Sequence, residues 1–411
     1  MTTTFNPYSD YVKHNDMMLQ KIPSHWKTIS LHYIARLKSG ESITALEFDQ
    51  DGEFPVFGGN GFRGKCDRYT HDGSFVLIGR QGALCGNVNI AHGKFFASEH
   101  AIAVNPEWAF NTNWMAYLLQ AMNLNQYSVS AAQPGLSSEV IGRLKIVFPP
   151  IGEQEAIALF LDFKASQIDA LIAKQRALLE KLAEKRTSMI NRVVTKGIDP
   201  TVPMKNSGVA WLGEIPAHWK TIALHYVGRL KSGESITALQ FNEEGEYPVF
   251  GGNGYRGNYD RYTHDGNYVL IGRQGALCGN INIAKGRFFA SEHAIVVNPE
   301  WEFDTNWMAY QLLSMNLNQY SESAAQPGLS AEVIGRLKVA FPAIDEQQRI
   351  ARLLDEKAGQ IQAQQQRIED VISRLQDYRS ALITNAVTGS IDVRNLPILW
   401  TDDLPASESE A

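Results

Sequence analysis

Cysteine is scarce, with three in 411 residues. Cys66, Cys85 and Cys278 form no C-x-x-C pair and have no histidine at ligand spacing. An odd number of isolated thiols argues against a disulfide framework or a zinc site and fits a reducing compartment, so a cytoplasmic protein without structural metal is expected. Long apolar runs are missing as well. No stretch approaches the roughly 18 to 20 apolar residues of a membrane span, and the opening MTTTFNPYSDYVKHND has no apolar core of the kind a secretory leader carries. No membrane partner is expected. Positive charge is also short: 38 Lys and Arg against 44 Asp and Glu give a net charge of −6. That balance argues against a protein that coats nucleic acid by bulk electrostatics. It leaves room for a reader with locally basic loops, or for partners that supply the positive field. Finally, the phosphate loop G-x-x-x-x-G-K-[ST] does not occur, and nothing supplies a metal cluster or a nucleophile with its base. No cofactor is expected on this chain.

What the sequence does have is repetition. Shifted by 193 residues, the chain lies on itself without a gap. SGESITAL recurs at Ser39 and Ser232, IGRQGALCGN at Ile78 and Ile271, AAQPGLS at Ala131 and Ala324. Between Ile22 and Phe148 roughly four positions in five match their partners. Solenoid repeats are shorter, about 20 to 50 residues, so this is a duplicated domain with its connector.

Each copy has two parts. The first is rich in glycine and turn signals, with short apolar runs (PVF, SFVLIG, NVNIA, AIAVN) that read as strands. Asn111–Asn123 reads as a helix with Thr112 or Asn113 as N-cap. The second part has period 3.5. Leu161, Ile168, Gln175, Leu182 and Met189 are spaced by seven, with Leu171 and Leu178 as a companion row; the second copy has Leu354, Ile361, Ile368, Leu375 and Leu382. A rod of about 40 residues, roughly 60 Å long, follows. Each seam needs a partner seam, and the two rods are each other's nearest equivalent. The expected fold is therefore a mixed α/β globular domain, duplicated, each copy followed by a long α-helix, with the helices paired as an antiparallel coiled coil. The expected boundaries are 1–20 for an N-terminal segment, 21–150 for the first globular domain and 151–194 for the central helix. A linker at 195–213, a second globular domain at 214–343, a distal helix at 344–388 and a tail at 389–411 complete the chain.

PVFGGNGFRG, from Pro55 to Gly64, holds the order G-x-G-x-x-G. A dinucleotide site needs a helix opening on the last glycine, whereas KCDRYTHDGSFVLIG reads as turn and strand. A tight turn that brings backbone and polar side chains close to a partner fits better. The candidate DNA-contacting residues are Gly59, Asn60, Arg63, Lys65, Arg68, Arg80, Gln81, His100 and Gln133. Their copies are Gly252, Asn253, Arg256, Arg261, Arg273, Gln274, His293 and Gln326. Arg, Gln and Asn are the side chains that read guanine and adenine edges in the major groove. The competing reading pairs Arg63 and Arg68 with Asp67 or Asp72 on a solvated hairpin. Glu99-His100 is read as a strand dipeptide whose side chains point to opposite faces and do not cooperate.

The combination I-P-x-H-W (Ile22 to Trp26, Ile215 to Trp219), F-P-P-I-x-E-Q (Phe148 to Gln154, with Ala343 for the second proline in the copy) and a long helix ending V-T-K-G-I-D resembles the specificity subunit of type I restriction-modification enzymes. The resemblance covers nearly the whole chain. It implies two target recognition domains that each read half of a bipartite double-stranded DNA site, with the two helices as a ruler. It implies a non-catalytic subunit that docks two adenine-N6 methyltransferase subunits, which carry the S-adenosylmethionine, and through them the restriction/translocase subunits. Recognition domains within one such subunit normally differ, whereas these are near copies, so a nearly palindromic target is expected. The rival readings are an assembly scaffold or DNA mimic without sequence reading, and a nucleotide-binding enzyme built on the glycine turn.

Overall fold

The computed structural model describes residues 5–13, 21–82, 84–128, 135–275, 277–321 and 328–394. It divides into two compact units, residues 1–174 with 370–411 and residues 175–369. Each unit holds one α/β domain and a stretch of both long helices.

In the first unit, strands Ala35–Ser39, Ala101–Pro106, Phe75–Gly79 and Val88–Ala91 form one antiparallel sheet in that order. Gly61–Cys66, Phe54–Gly58, Lys94–Ala97 and His71–Asp72 form a second, which contains the parallel pair Phe54–Gly58 with Lys94–Ala97. In the second unit Ile281–Ala290 runs unbroken and joins the equivalent strands into one six-stranded sheet. The run Val76-Leu77-Ile78 is apolar throughout because both faces of its strand are covered. Val76 and Ile78 join the main core, while Leu77 packs with Phe95, Ala97 and Ala103 on the other side.

The helix Thr112–Ala121 is capped one residue earlier than the sequence reading placed it. Asn111 has extended backbone, and its side-chain oxygen accepts from the Trp114 N–H at 2.9 Å. Three consecutive polar residues, Asn-Thr-Asn, are all acceptable caps, so spacing alone could not choose. Asp304 does the same for the Trp307 N–H.

The sequence motifs are joints between domain and helix. Glu153, in the first turn of the central helix (Ile151–Lys196), accepts hydrogen bonds from the Trp26 Nε1–H at 3.0 Å and the Tyr8 hydroxyl at 3.0 Å, and sits 2.7 Å from His25 Nε2. Glu346, in the distal helix (Ile344–Val387), holds Trp219 and His218 in the same way, each at 2.9 Å. Gln154 and Gln347 are fully buried. Each takes the N–H of a helix-capping residue, Asn111 or Asp304, and donates to the carbonyl of Pro149 or Pro342. A buried amide satisfied on both ends fixes the angle at which the helix leaves its domain.

Pro150 accepts the first turn's N–H groups of the central helix, and Gly197, at φ +76°, stops it. The seam along this helix differs from the sequence reading. Leu161, Ile168 and Leu182 are buried, but their companions are Ala165 and Ile172, with Leu179 half-buried. Leu171 and Leu178 are 47% and 44% exposed. In a 3.5 repeat, residues three and four positions on flank a row at roughly equal angles, so the row alone left the flank undecided. Within the first unit, Ile168 and Ile172 share a core cluster with Leu382, Ile383 and, partly buried, Leu375 near the end of the distal helix. Within the second, Ile190 and Val193, with Met189 partly buried, pack with Ile350 and Leu354 near its start. The helices run antiparallel in each unit. Ile361 is buried and Ile368 half-buried.

The stretch read as a linker supplies one strand of a ladder, Met204–Asn206, paired with Glu214–Pro216 at the start of the second domain. The first unit makes the equivalent ladder from Tyr11–Lys13 and Lys21–Pro23. There residues 6–11 meet residues 389–394: Asn6 O accepts the Asp392 N–H at 2.8 Å, Gly389 O accepts the Tyr11 hydroxyl at 2.9 Å, and the Arg394 guanidinium lies 4.7 Å from the Tyr8 ring centre. What the second unit builds from one continuous stretch, the first assembles from residues 6–23 and 389–394.

Candidate nucleic-acid interface

Three loops meet at one end of each domain. The first is the hairpin turn between Phe54–Gly58 and Gly61–Cys66, the second follows Gly79, and the third is the turn between Lys94–Ala97 and Ala101–Pro106. Their backbones touch. Arg80 N–H donates to His100 O at 2.9 Å, and Arg80 O accepts from Leu136 N–H at 2.8 Å. A Cβ on Gly79 would lie 2.6 Å from Gly59 O, and one on Gly59 would lie 3.1 Å from His100 O. Of the G-x-G-x-x-G stretch, Gly59 serves this close approach, while Gly61 and Gly64 lie inside a strand at φ +88° and +151°, and no helix opens on them.

The loops bring Gly59, Asn60, Arg80, Gln81 and His100 together. Asn60 Oδ1 accepts from Asn87 Nδ2 at 3.2 Å, which ties the first loop to the second. The second unit repeats this with Asn253 and Asn280 at 3.1 Å, and Arg273 N–H donates to His293 O at 2.9 Å. Gly252 packs against His293 O as Gly59 does against His100 O. Gln81 forms an isolated bridge with Gly135, and Gln274 with Gly328. Gln133 and Gln326 lie outside the described residues. The side chains of Arg80 and Arg273 are half-buried, those of Gln81 and Gln274 exposed.

Glu99 and His100 occupy a turn, not a strand. Their side chains therefore meet, Glu99 Oε1 lying 3.3 Å from His100 Nε2, and Glu99 Oε2 also accepts the Ile43 N–H at 3.3 Å. Glu292 and His293 repeat the contact at 3.4 Å. The carboxylate anchors the preceding loop and orients the imidazole.

The hairpin arginines are already engaged. Arg68 pairs with Glu47 at 2.8 Å and Glu41 at 3.4 Å, and its guanidinium lies 4.5 Å from the Phe96 ring centre. Neither Asp67 nor Asp72 is its partner. Arg261 pairs with Glu234 at 2.7 Å. Arg63 and Arg256 sit 5.6 Å over Phe48 and Phe241. Lys65 is exposed.

The sequence reading passed over Arg36 and Lys38, with their copies Arg229 and Lys231. All four are exposed, and among the described residues they form no ion pair. Arg36 and Lys38 line a cleft of about 480 Å³ with Ser39, Thr70, His71 and Asn105. The available signal was the alternation Arg-Leu-Lys, with Leu37 turned toward the core.

Among the described residues no group of three or more His, Cys, Asp and Glu could hold a metal ion, and no helix is long and apolar enough to cross a membrane. The three thiols are buried and free.

The family model for the type I restriction modification DNA specificity domain matches residues 23–181 and again 216–373. The type I restriction enzyme EcoprrI specificity subunit of Escherichia coli is 44% identical over 140 residues, 33% of this chain and 35% of that relative. The type I restriction enzyme MjaVIII specificity subunit of Methanocaldococcus jannaschii is 21% identical over 416 residues, covering 92% of this chain and 95% of the relative. A chain from a solved structure concerned with complex assembly and conformational transition of the type I R-M system has the same fold, with a TM-score of 0.70 at 14% identity over 90% of this chain and 99% of that one. Matched twice by the model, over well more than half its length, the chain belongs to the type I restriction-modification DNA specificity family.

Proposed function

We propose that this chain is the DNA-recognition subunit of a type I restriction-modification complex, each α/β domain reading one half of a bipartite target. The chemistry belongs to partners: two adenine-N6 methyltransferase subunits and the restriction/translocase subunits. The observation that carries this is the loop cluster built twice, with Asn60, Arg80, Gln81 and His100 matched by Asn253, Arg273, Gln274 and His293. Arg and Gln side chains on rigid loops suit base edges, which need fixed donors and acceptors.

Near-identical readers favour two copies of one half-site around an unread spacer. The substitutions close to the loops are absorbed locally. Where Phe62 and Lys65 become Tyr255 and Asn258, the new hydroxyl donates to Asn258 Oδ1 at 3.1 Å and Asn258 Nδ2 donates to Glu243 O at 3.3 Å. Cys66 and Tyr259 both pack into apolar clusters. Ser74 Oγ lies 2.9 Å from His92 Nδ1, and the copies of this pair, Asn267 and Lys285, stand opposite each other on paired strands. Neither domain is strongly charged by residue count, so the methyltransferases supply much of the phosphate neutralisation that dominates affinity. Genome-wide mapping of methylated adenines, with and without the gene, tests the reading. The expected motif is an interrupted, nearly palindromic sequence lost on deletion; two unrelated half-sites would overturn the symmetry, and an unchanged methylome would overturn the function.

A further inference from the structure

We propose that Arg36 and Lys38, and in the second domain Arg229 and Lys231, are a phosphate-contacting track that holds the DNA backbone beside each reading cluster. The proposal rests on the DNA-recognition reading and adds a binding subsite to it.

Arg36 and Lys38 lie on Ala35–Ser39, an edge strand paired only with Ala101–Pro106. Strand alternation sends Leu37 inward and places both cations on one face, about 6.7 Å apart. The strand leads to Ser39, opposite Ile102 and two residues from His100, so the track ends at the reading loops. Asn105 Nδ2 donates to Arg36 O at 3.1 Å, which fixes the backbone beneath the first cation.

The carboxylates of the same cleft are Glu41 and Asp72. Glu41 is engaged by Arg68. In the second unit both counterparts are engaged, Glu234 by Arg261 and Asp265 by Arg287 at 3.1 Å. In the second unit the charge left on this face therefore rests with Arg229 and Lys231; in the first, Asp72 offsets part of the charge of Arg36 and Lys38. Two cations on a firm edge, without ion-pair partners among the described residues, suit an anion that carries no sequence information, as a sugar–phosphate backbone does. Charges on edge strands also block unwanted strand pairing, and that role alone would leave DNA binding untouched.

The test uses the full chain in complex with its methyltransferase subunits. Affinity for a duplex holding the methylated motif and for a scrambled duplex is measured across a salt series, for the wild type, R36Q/K38Q and R36K/K38R. The expected result for R36Q/K38Q is equal weakening on both duplexes, with the slope of log affinity against log salt shallower by about 1.8, since each phosphate contact contributes about 0.9. R36K/K38R keeps the wild-type slope. An unchanged slope in R36Q/K38Q, or weakening confined to the motif duplex, overturns the track. A wild-type complex that does not distinguish the two duplexes overturns the recognition reading itself, a separate outcome. An unchanged urea midpoint in R36Q/K38Q keeps misfolding out of the result.

Discussion

Arg379 clamps Asp169 across 210 residues of chain, with Nε 3.0 Å from Oδ1 and Nη2 3.3 Å from Oδ2. It is a two-pronged contact between the central helix and the end of the distal helix within the first unit. The repeat places Arg186 at the equivalent position of the second unit, but Asp169 has become Gln362. One ion pair is thus present in one copy of the seam and lacks its carboxylate in the other. The side chains are 32% and 51% exposed, so solvent screening limits the pair to about 0–1 kcal/mol. Asp169→Asn should lower the unfolding free energy read from urea melts by no more than that, and Gln362→Asp should raise it by a similar amount. A lowered midpoint for Gln362→Asp would mean that the two copies of the seam do not share a register.

Much of this was legible in the residues. The duplication, the strand-rich domains and the long helices follow from repeat and period, because each depends on patterns extending over many positions. What escaped was set by single contacts between distant residues. Glu153 and Gln154 form part of a recognisable motif, yet their partners Trp26 and Asn111 lie far back along the first domain. The seam's flank was misjudged at Leu171 because one row of a heptad does not choose its side. Glu99 and His100 were misplaced because the backbone leaves the extended conformation there for a turn. Arg36 and Lys38 were passed over because a charged edge strand looks like an ordinary solvated one until its cleft is assembled.

The two arginines singled out on neighbouring loops should behave in opposite ways. Arg80 has its backbone locked on both sides, by His100 and Leu136, and no ion pair among the described residues. Arg68 is committed to Glu41 and Glu47. Arg80→Ala should cost about 1–3 kcal/mol of binding and relax preference at one base position of one half-site. Arg68→Ala should leave base preference intact and cost at most about 1 kcal/mol of stability, since its pairs are half-exposed. Binding selection from a randomised half-site library, paired with urea melts, reads both quantities. Equal weakening of Arg80→Ala on every sequence would mark it as a phosphate contact instead.

A weak acid sensitivity should come from two histidines that begin sheet strands, His71–Asp72 and His264–Gly272. His71 stacks on Phe95 with ring centres 5.1 Å apart, and His264 on Phe288 at 5.2 Å. Burial pushes both imidazoles below the ordinary histidine value, only partly opposed by hydrogen bonds with Asn105 and Asn298. The sign follows from linkage. Above about pH 6.5 the ring is neutral in folded and unfolded chains alike, and stability is complete. As pH falls below that value the unfolded chain takes up the proton first, so stability declines until the lower folded value is passed. Carboxylates held low, such as Asp392 beside Arg394, lose their contribution only in more acid solution, which leaves the window from about pH 6.5 to 5 to the histidines. Urea midpoints should fall between about pH 7.5 and 5.5 in the wild type and fall less in H71Q/H264Q. Parallel curves for the two proteins would assign the acid loss to other groups.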